Sequence, residues 1–207
     1  MLKGKTVVLG VTGCIAAYKA CEIVSSLKKK GATVIVIMTP HSTEFVQPLS
    51  FETLSGNRVI TDLFDRDFDF EVEHVALAKR ADVFVVAPAT ANTIGKIANG
   101  IADDMLTTTI MACKAPKIIC PAMNTNMYEN ENTTENIARL KKQGYKIIEP
   151  ISGRLACGDI GKGKMAEPET IVKAIEDILT PNQDFEGVRM LITAGSTCLL
   201  YTSPSPR

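Results

Sequence analysis

The sequence predicts an α/β fold, a Rossmann-like (flavodoxin-like) parallel sheet with helices on both faces. The main observation is that short apolar runs alternate along the chain with segments of helical period. These runs are continuously apolar, which is typical of parallel strands covered on both faces. The 207 residues are 45% apolar with a mean hydropathy of +0.10, so the chain can bury a sizeable core.

The first half of the chain supplies three predicted strands, "KTVVLG" (5–10), "TVIVIM" (33–38) and "DVFVVAP" (82–88). Between the first two, residues 14–30 carry an apolar stripe with the period of a helix. This segment ends in three lysines followed by Gly31, a typical C-terminal signal of a helix. One strand–helix–strand unit is therefore predicted at the start of the chain.

The second half continues the alternation of helices and strands. Its predicted elements are the helical segments "NTIGKIANG" (92–100) and "DDMLTTTIMA" (103–112), the strand "KIIC" (117–120), a helix over 131–143, the strand "YKIIEP" (145–150) and the helix "PETIVKAIEDIL" (168–179). Proline in the first turn suits the start of the last helix, because its missing N–H is not needed there. A five-stranded sheet follows from this order.

The composition excludes several classes of function. The chain has 23 basic and 23 acidic residues, which argues against nucleic acid or an anionic membrane as a partner. It has no 18-residue apolar run and no signal peptide, so we expect a cytoplasmic protein. Six cysteines without a CxxC pair and only two histidines argue against a metal site. The acidic stretch 62–73 could be a metal loop, but its spacing favours a solvated connection.

The chain divides into one domain and a short remainder. Residues 1–181 are predicted to form the domain, and residues 182–197 read as a linker with the first strand of a second domain. Residues 198–207 have no periodicity and are rich in Pro and Ser, so we expect a disordered or non-native tail.

Polar and small residues follow the predicted strands. They lie in "VTGC" (11–14), "MTPHS" (38–42), "APATANT" (87–93), "PAMN" (121–124) and the segment after Pro150. Ligands of parallel α/β sheets bind beyond the carboxyl ends of the strands. We therefore expect these loops to converge on one site.

The segment "GVTGCIAAYK" (10–19) places a glycine turn between a strand and a helix. Free backbone N–H groups and the helix dipole can bind an anion at such a position. Only Gly10 and Gly13 are present, so the segment is not a GxGxxG fingerprint. This pattern favours a single phosphate over a dinucleotide, and the alternative is an ordinary tight turn.

The segment "APATANT" follows a buried strand with small residues, which would let a flat ring approach the backbone. Thr90, Asn92 and Thr93 offer hydrogen bonds to the edge of such a ring. Thr90 or Asn92 could equally be a helix N-cap, and both roles can hold at once.

Two further residues could carry acid–base chemistry. His74 lies among acidic residues and is either a surface side chain or an acid–base group, and its position alone favours the first. Cys157 lies in the glycine-rich segment 152–168, which has no strand or helix period and is predicted to be a mobile loop. That thiol is either a proton donor on a lid or incidental.

Taken together, the motifs resemble one family. "TGCIAAYK", "HVALAKRAD", "APATANTIGKIANGIADD", "PAMNTNMY" and "GRLACGDIGKGKM" occur in the order and spacing of the homo-oligomeric flavin-containing cysteine decarboxylases, over about residues 3–180. The family's Trp or Tyr after the second Met is Tyr128, and its Arg before the last Met is Lys164. "RMLITAG" (189–195) resembles the first strand of the phosphopantothenate–cysteine ligase domain of bacterial bifunctional members. The chain departs from that pattern at Ser196, so no ligase activity is expected.

The resemblance assigns roles to individual residues. It implies a flavoprotein fold that binds FMN through Thr12, Gly13, Cys14, Ile15, Thr39, Phe45, Pro88, Ala89, Thr90, Ala91 and Asn92. It implies that His74 is an acid–base residue, that Asn124, Met127 and Lys164 bind the substrate, with Asn124 holding its carboxylate, and that Cys157 on a flap donates a proton.

The resemblance also implies an activity. It is the FMN-dependent decarboxylation of 4′-phosphopantothenoylcysteine to 4′-phosphopantetheine in coenzyme A biosynthesis, by thiol oxidation to a thioaldehyde, loss of carbon dioxide, protonation and re-reduction. The protein would be a homotrimer or a dodecamer, with His74 acting across the subunit interface. Alternatives are a peptidyl-cysteine decarboxylase, a flavin prenyltransferase, which lacks this His, Asn and Cys set, and a non-catalytic flavin-binding regulatory subunit. The presence of His74, Asn124 and Cys157 argues against the last.

Overall fold

The described residues form the predicted α/β fold. The computed structural model describes residues 2–63, 73–154, 158 and 160–180. The strands are β1 (Thr6–Val11), β2 (Thr33–Met38), β3 (Val83–Ala89), β4 (Lys117–Pro121), β5 (Lys146–Ile147), β6 (Ile151–Arg154) and β7 (Ile160–Lys164). The helices are α1 (Ala17–Lys29), α2 (Pro48–Ser55), α3 (Glu73–Arg80), α4 (Ala91–Asn99), α5 (Met105–Ala112), α6 (Thr125–Glu129), α7 (Glu131–Lys142) and α8 (Pro168–Leu179), with a short 3-10 turn at Pro40–Ser42.

The first five strands form one parallel sheet in the order β2-β1-β3-β4-β5, and β6 and β7 form a separate antiparallel hairpin. Strand β1 has a partner on each side, because Val7 pairs with Val34 of β2 and with Val83 of β3. Among the described residues, no helix combines the length and apolar character needed to cross a membrane.

Alternate residues of each strand enter two separate cores. In β1, Val7 and Leu9 pack into the layer that contains α1, α2 and α8, whereas Val8 packs into the layer that contains α3, α4, α5 and α7. This two-sided burial explains why the strands are continuously apolar in sequence. The helices therefore cover both faces and leave the carboxyl edge of the sheet for the loops.

Most predicted boundaries agree with the structure to within one or two residues. The helix predicted over 14–30 begins only at Ala17, because Cys14 first closes a turn by donating its backbone N–H to the Thr12 carbonyl oxygen at 2.8 Å. Gly31 and Gly144 have φ angles of 87° and 88°, so each follows its helix in the left-handed region that glycine tolerates.

Two expectations were wrong. The fifth strand pairs only over Lys146–Ile147 at the sheet edge, not over 145–150. The segment 152–168 is not an irregular loop, because β6 and β7 pair within it and place Gly153 opposite Gly161. Glycines in both strands conceal the period-two pattern of side chains on which a strand prediction depends. Helices α2, α3 and α6 were not predicted.

Several expectations fall outside the described residues. They concern Cys157, the linker and strand at 182–197, the tail at 198–207 and residues 64–72 of the acidic stretch. These stay predictions.

Candidate active site

The loop after β1 is joined to the loop after β3 by a buried threonine. The Thr12 hydroxyl donates to the Pro88 carbonyl oxygen at 2.8 Å and accepts from the Thr90 backbone N–H at 3.1 Å. Thr12 is only 1% exposed. The hydroxyl proton is therefore donated within the protein and not to a ligand. Thr12 contributes to the site by holding the two loops together.

Replacing Thr12 by Val should reduce the free energy of unfolding by about 1–3 kcal/mol, because two buried polar groups would lose their partner while the side-chain volume is kept. Urea unfolding followed by circular dichroism would measure the change. Thr12→Ser retains the hydroxyl and should cost clearly less. Equal losses in the two variants would contradict the role assigned to the hydroxyl.

The loop after β1 also contacts the loop after β2. The Thr39 backbone N–H donates to the Val11 carbonyl oxygen at 3.0 Å, and the buried Ser42 hydroxyl donates to the Thr39 carbonyl oxygen at 2.7 Å. A Cβ atom added to Gly13 would lie 2.7 Å from the Cβ of His41. Only glycine at position 13 allows the two loops to approach this closely.

The loops after β3 and β4 continue the same edge. Ala122 donates its backbone N–H to the Ala89 carbonyl oxygen at 3.0 Å. Thr90 is the N-cap of α4 and its hydroxyl oxygen accepts from the Thr93 N–H at 3.4 Å, which confirms the capping prediction for Thr90. Together with the contacts of Thr12 and Gly13, these bonds confirm that the four loops converge.

The N-terminus of α1 offers donors to an anion. Ala16 is the N-cap position, and its side chain makes no capping hydrogen bond. Within the described part of the chain, the backbone N–H groups of Gly13 and Ile15 have no backbone or side-chain acceptor, whereas the Ala16 N–H donates to the Cys14 side chain. Such groups at the start of a 13-residue helix, with its dipole behind them, suit a phosphate. Burial raises the pKa of the adjacent Cys14 thiol, which is therefore neutral and adds no repelling charge.

Three large apolar side chains of the predicted site are exposed. Ile15 is 55% exposed, Phe45 48% and Met127 49%. Ile15 lies in the turn before α1, Phe45 follows the 3-10 turn after β2, and Met127 lies on α6 after β4. An apolar ligand or a second protein surface would bury them at the same edge of the sheet.

Asn124 begins α6 directly beyond β4. Its side-chain oxygen accepts the Asn126 backbone N–H at 2.8 Å, so it is the N-cap of the helix. The preceding residue, Met123, donates its backbone N–H to the Gly163 carbonyl oxygen of β7 at 3.0 Å. The β6–β7 hairpin is thus docked beside Asn124.

A carboxylate holds the predicted substrate-binding lysine. Glu167 accepts Lys164 Nζ at 3.1 Å and Lys19 Nζ at 2.7 Å. The hydrogen bond from Lys19 is the largest cause that lowers the pKa of Glu167. These ion pairs connect β7 to α1, the helix that carries the anion site.

His74 and Cys157 are the remaining predicted residues of the site. His74 is half-buried in the first turn of α3. Helix α3 leads directly into β3, so its first turn lies toward the carboxyl edge of the sheet. Cys157 lies outside the described residues, between the two strands of the docked hairpin.

Sequence reasoning missed three residues that shape this edge, namely His41, Glu149 and Glu167. His41 packs on Gly13, and its loop had been singled out only for its polar residues. Glu149 and Glu167 bind side chains of distant elements, and the bond from Lys19 to Glu167 spans 148 positions. No local pattern reveals such contacts.

Comparison with known proteins identifies the relatives of the chain. A family model described as Flavoprotein matches residues 1–180. The coenzyme A biosynthesis bifunctional protein CoaBC of Bacillus subtilis is 49% identical over 199 residues, which cover 95% of this chain and 49% of the relative. A probable phosphopantothenoylcysteine decarboxylase of Streptococcus mutans is 46% identical over 177 residues, which cover 84% of this chain and 99% of the relative. The chain spans about half the length of the bifunctional relatives.

Solved structures share the fold. A Cys-to-Ser mutant of a PPC decarboxylase, complexed with pantothenoylaminoethenethiol, superimposes with a TM-score of 0.73 at 35% identity and covers 83% of this chain and 96% of that one. The FMN-dependent cysteine decarboxylase SpaF superimposes with a TM-score of 0.74 at 30% identity and covers 86% of this chain and 99% of that one.

Proposed function

Because this chain belongs to the flavoprotein family, we propose that it binds FMN and decarboxylates 4′-phosphopantothenoylcysteine to 4′-phosphopantetheine. The observation that carries the proposal is that an uncapped helix N-terminus and the Asn124 turn lie on one edge of the sheet. The 46% identity to nearly the whole length of a probable decarboxylase of this type supports the same substrate.

The residues present fit FMN. The free N–H groups of Gly13 and Ile15 would bind its phosphate, and Phe45 would cover apolar parts of the cofactor. The small residues from Ala89 to Ala91 would let the ring approach the backbone beside Asn92. When bound, FMN would supply hydride chemistry, taking a hydride from the thiol-bearing carbon of the substrate and returning it later.

Asn124 would bind the substrate carboxylate through its neutral amide. A cation there would stabilise the charge that is lost with carbon dioxide, and so would favour the ground state over the transition state. A neutral donor orients the carboxylate without that penalty. The exposed Met127 would form an adaptable apolar wall beside the reacting thiol.

His74, Cys157 and Lys164 complete the proposed site. Cys157 would protonate the carbon from which carbon dioxide leaves, and Lys164, held by Glu167, would bind the substrate. His74 would act as the acid–base residue from a neighbouring subunit of a homotrimer or of a dodecamer.

Mass spectrometry of 4′-phosphopantothenoylcysteine incubated with the purified protein tests the proposal. The expected product has lost carbon dioxide with no net oxidation. Cys157→Ser should instead release a product that lacks two further hydrogens, because the protonation step fails. An unchanged substrate in the presence of bound FMN would contradict the proposal and favour a peptidyl-cysteine substrate or a regulatory flavoprotein.

Gly13→Ala should weaken FMN binding by roughly tenfold, because the new methyl group would force the phosphate loop away from His41. Titration of flavin fluorescence would measure the dissociation constant. Gly95→Ala is the matched control, since a Cβ atom there meets only the Asn136 side chain at 3.6 Å. If both variants bound FMN like the parent protein, the close approach of the two loops would not matter for binding.

A further inference from the structure

A carboxylate outside the predicted site joins three elements. Glu149, between β5 and β6, accepts Lys141 Nζ of α7 at 2.7 Å, the Tyr128 hydroxyl of α6 at 2.5 Å and Lys162 Nζ of β7 at 3.2 Å. Lys162 Nζ also lies 5.3 Å from the centroid of the Tyr128 ring, within the range of a cation–π contact. Tyr128, Glu149 and Lys162 therefore form a closed triangle, which we call the Glu149 cluster.

A contribution to the free energy of folding does not explain the Glu149 cluster well. The side chains of Glu149 and Lys162 are each 44% exposed, and exposed ion pairs contribute little to folding. Hydrogen bonds from Lys141 and then from Tyr128 lower the pKa of Glu149 to about 2. The group is thus a fixed anion at neutral pH and does not carry protons.

The cluster lies directly beside the proposed substrate site. Tyr128 is in the same helical turn as Asn124 and donates its backbone N–H to the Asn124 carbonyl oxygen at 3.0 Å. On β7, the neighbours of Lys162 lie against the same turn: the Gly163 carbonyl oxygen accepts the Met123 N–H at 3.0 Å, and a Cβ atom added to Gly161 would overlap the Thr125 side chain. Lys162 stands between these two contacts and reaches across to Tyr128.

We propose that Glu149 is a positioning residue for decarboxylation, because its carboxylate bridges Tyr128 and Lys162 and so fixes the Asn124–Met127 turn against the β6–β7 hairpin. The inference rests on the proposed function. Glu149 itself touches neither substrate nor cofactor. It acts by holding the amide of Asn124 and the side chain of Met127 in one orientation relative to β7, since small displacements of a binding group are costly for catalysis.

The test combines Glu149→Gln, Tyr128→Phe and the double variant in the FMN-loaded protein. Glu149→Gln keeps the size and removes the charge, whereas Tyr128→Phe keeps the ring and removes the hydroxyl. Each should lower kcat/KM for 4′-phosphopantothenoylcysteine by roughly tenfold, with FMN affinity unchanged. The double variant should lose little more than either single variant, because both break the same bridge. Lys141→Gln is the control, since it removes an ion pair of Glu149 but leaves the bridge to Tyr128 and Lys162.

Hydrogen exchange of the same variants separates this inference from the proposed function. Glu149→Gln should speed the exchange of the backbone amides of 123–128, whether or not the protein decarboxylates this substrate. Normal turnover or unchanged exchange in Glu149→Gln would overturn the inference, as would an equal loss of turnover in Lys141→Gln. If the parent protein is inactive, the proposed function and the catalytic role of Glu149 both fail, and the exchange rates alone decide whether Glu149 holds the turn.

Discussion

Asn124→Asp is expected to lower kcat/KM for 4′-phosphopantothenoylcysteine by roughly 100-fold or more, while the protein stays folded. The new carboxylate would repel the carboxylate that the Asn124 amide is proposed to bind. The fold should be kept, because Asp is as good an N-cap as Asn and its oxygen can still accept the Asn126 N–H. A negative charge at a helix N-terminus is favourable as well. Steady-state kinetics and thermal unfolding would be measured on the same preparation.

Asn126→Asp is the matched control for this substitution. It adds the same charge two residues further along α6, at an exposed side chain. Its kcat/KM should stay within about threefold of the parent value, because the added charge is solvated at an exposed side chain and the Asn124 amide is kept. Similar losses in both variants would mean that charge near α6, rather than the Asn124 amide, controls the reaction. An active Asn124→Asp variant would exclude the carboxylate-binding role.

Gly163→Ala is expected to reduce decarboxylation by roughly 100-fold by shifting the hairpin, since displacements of about 1 Å can cost that much. A Cβ atom at this position would overlap the Met123 carbonyl oxygen. The Met123 N–H is bonded to the Gly163 carbonyl oxygen at 3.0 Å, so the overlap separates two segments that are now hydrogen-bonded. The free energy of unfolding should fall by about 1–3 kcal/mol. Product formation and urea unfolding would measure the two effects.

Gly153→Ala makes the same change in the partner strand of the hairpin. There the added Cβ atom meets only the Lys164 side chain, at 3.8 Å. An alanine in this position reduces the conformational freedom of the unfolded chain, so the variant should be as stable as the parent or slightly more stable. If Gly163→Ala behaved like Gly153→Ala in both measurements, close docking of β7 on the Asn124 turn would not be required for activity.

Local pattern was sufficient for the main elements of the fold. "TVIVIM" is continuously apolar and is strand β2 over the predicted residues, and "PETIVKAIEDIL" has a helical period and is α8 over the predicted residues. The periodicity of the sequence did not predict strands that depend on contacts with residues far along the chain. The β6–β7 hairpin contains glycines that pack against Met123 and Thr125, and no regular side-chain period remains in its sequence. Strand β5 lies at the edge of the sheet, where β4 is its one partner among the described strands.

The sequence by itself determined the parallel sheet and the loops that follow its strands, because the apolar period, the glycines that end helices and the alternation of strands and helices are local properties. It also determined which loops hold Gly13, Thr90 and Asn124, since parallel strands all end at the same edge. Only the tertiary structure decided how those loops are held. The Thr12 hydroxyl donates to the Pro88 carbonyl oxygen of β3. Glu149 and Glu167 hold β7 through ion pairs with Lys162 and Lys164. Such contacts join residues far apart in the chain, and they exist only once the chain has folded.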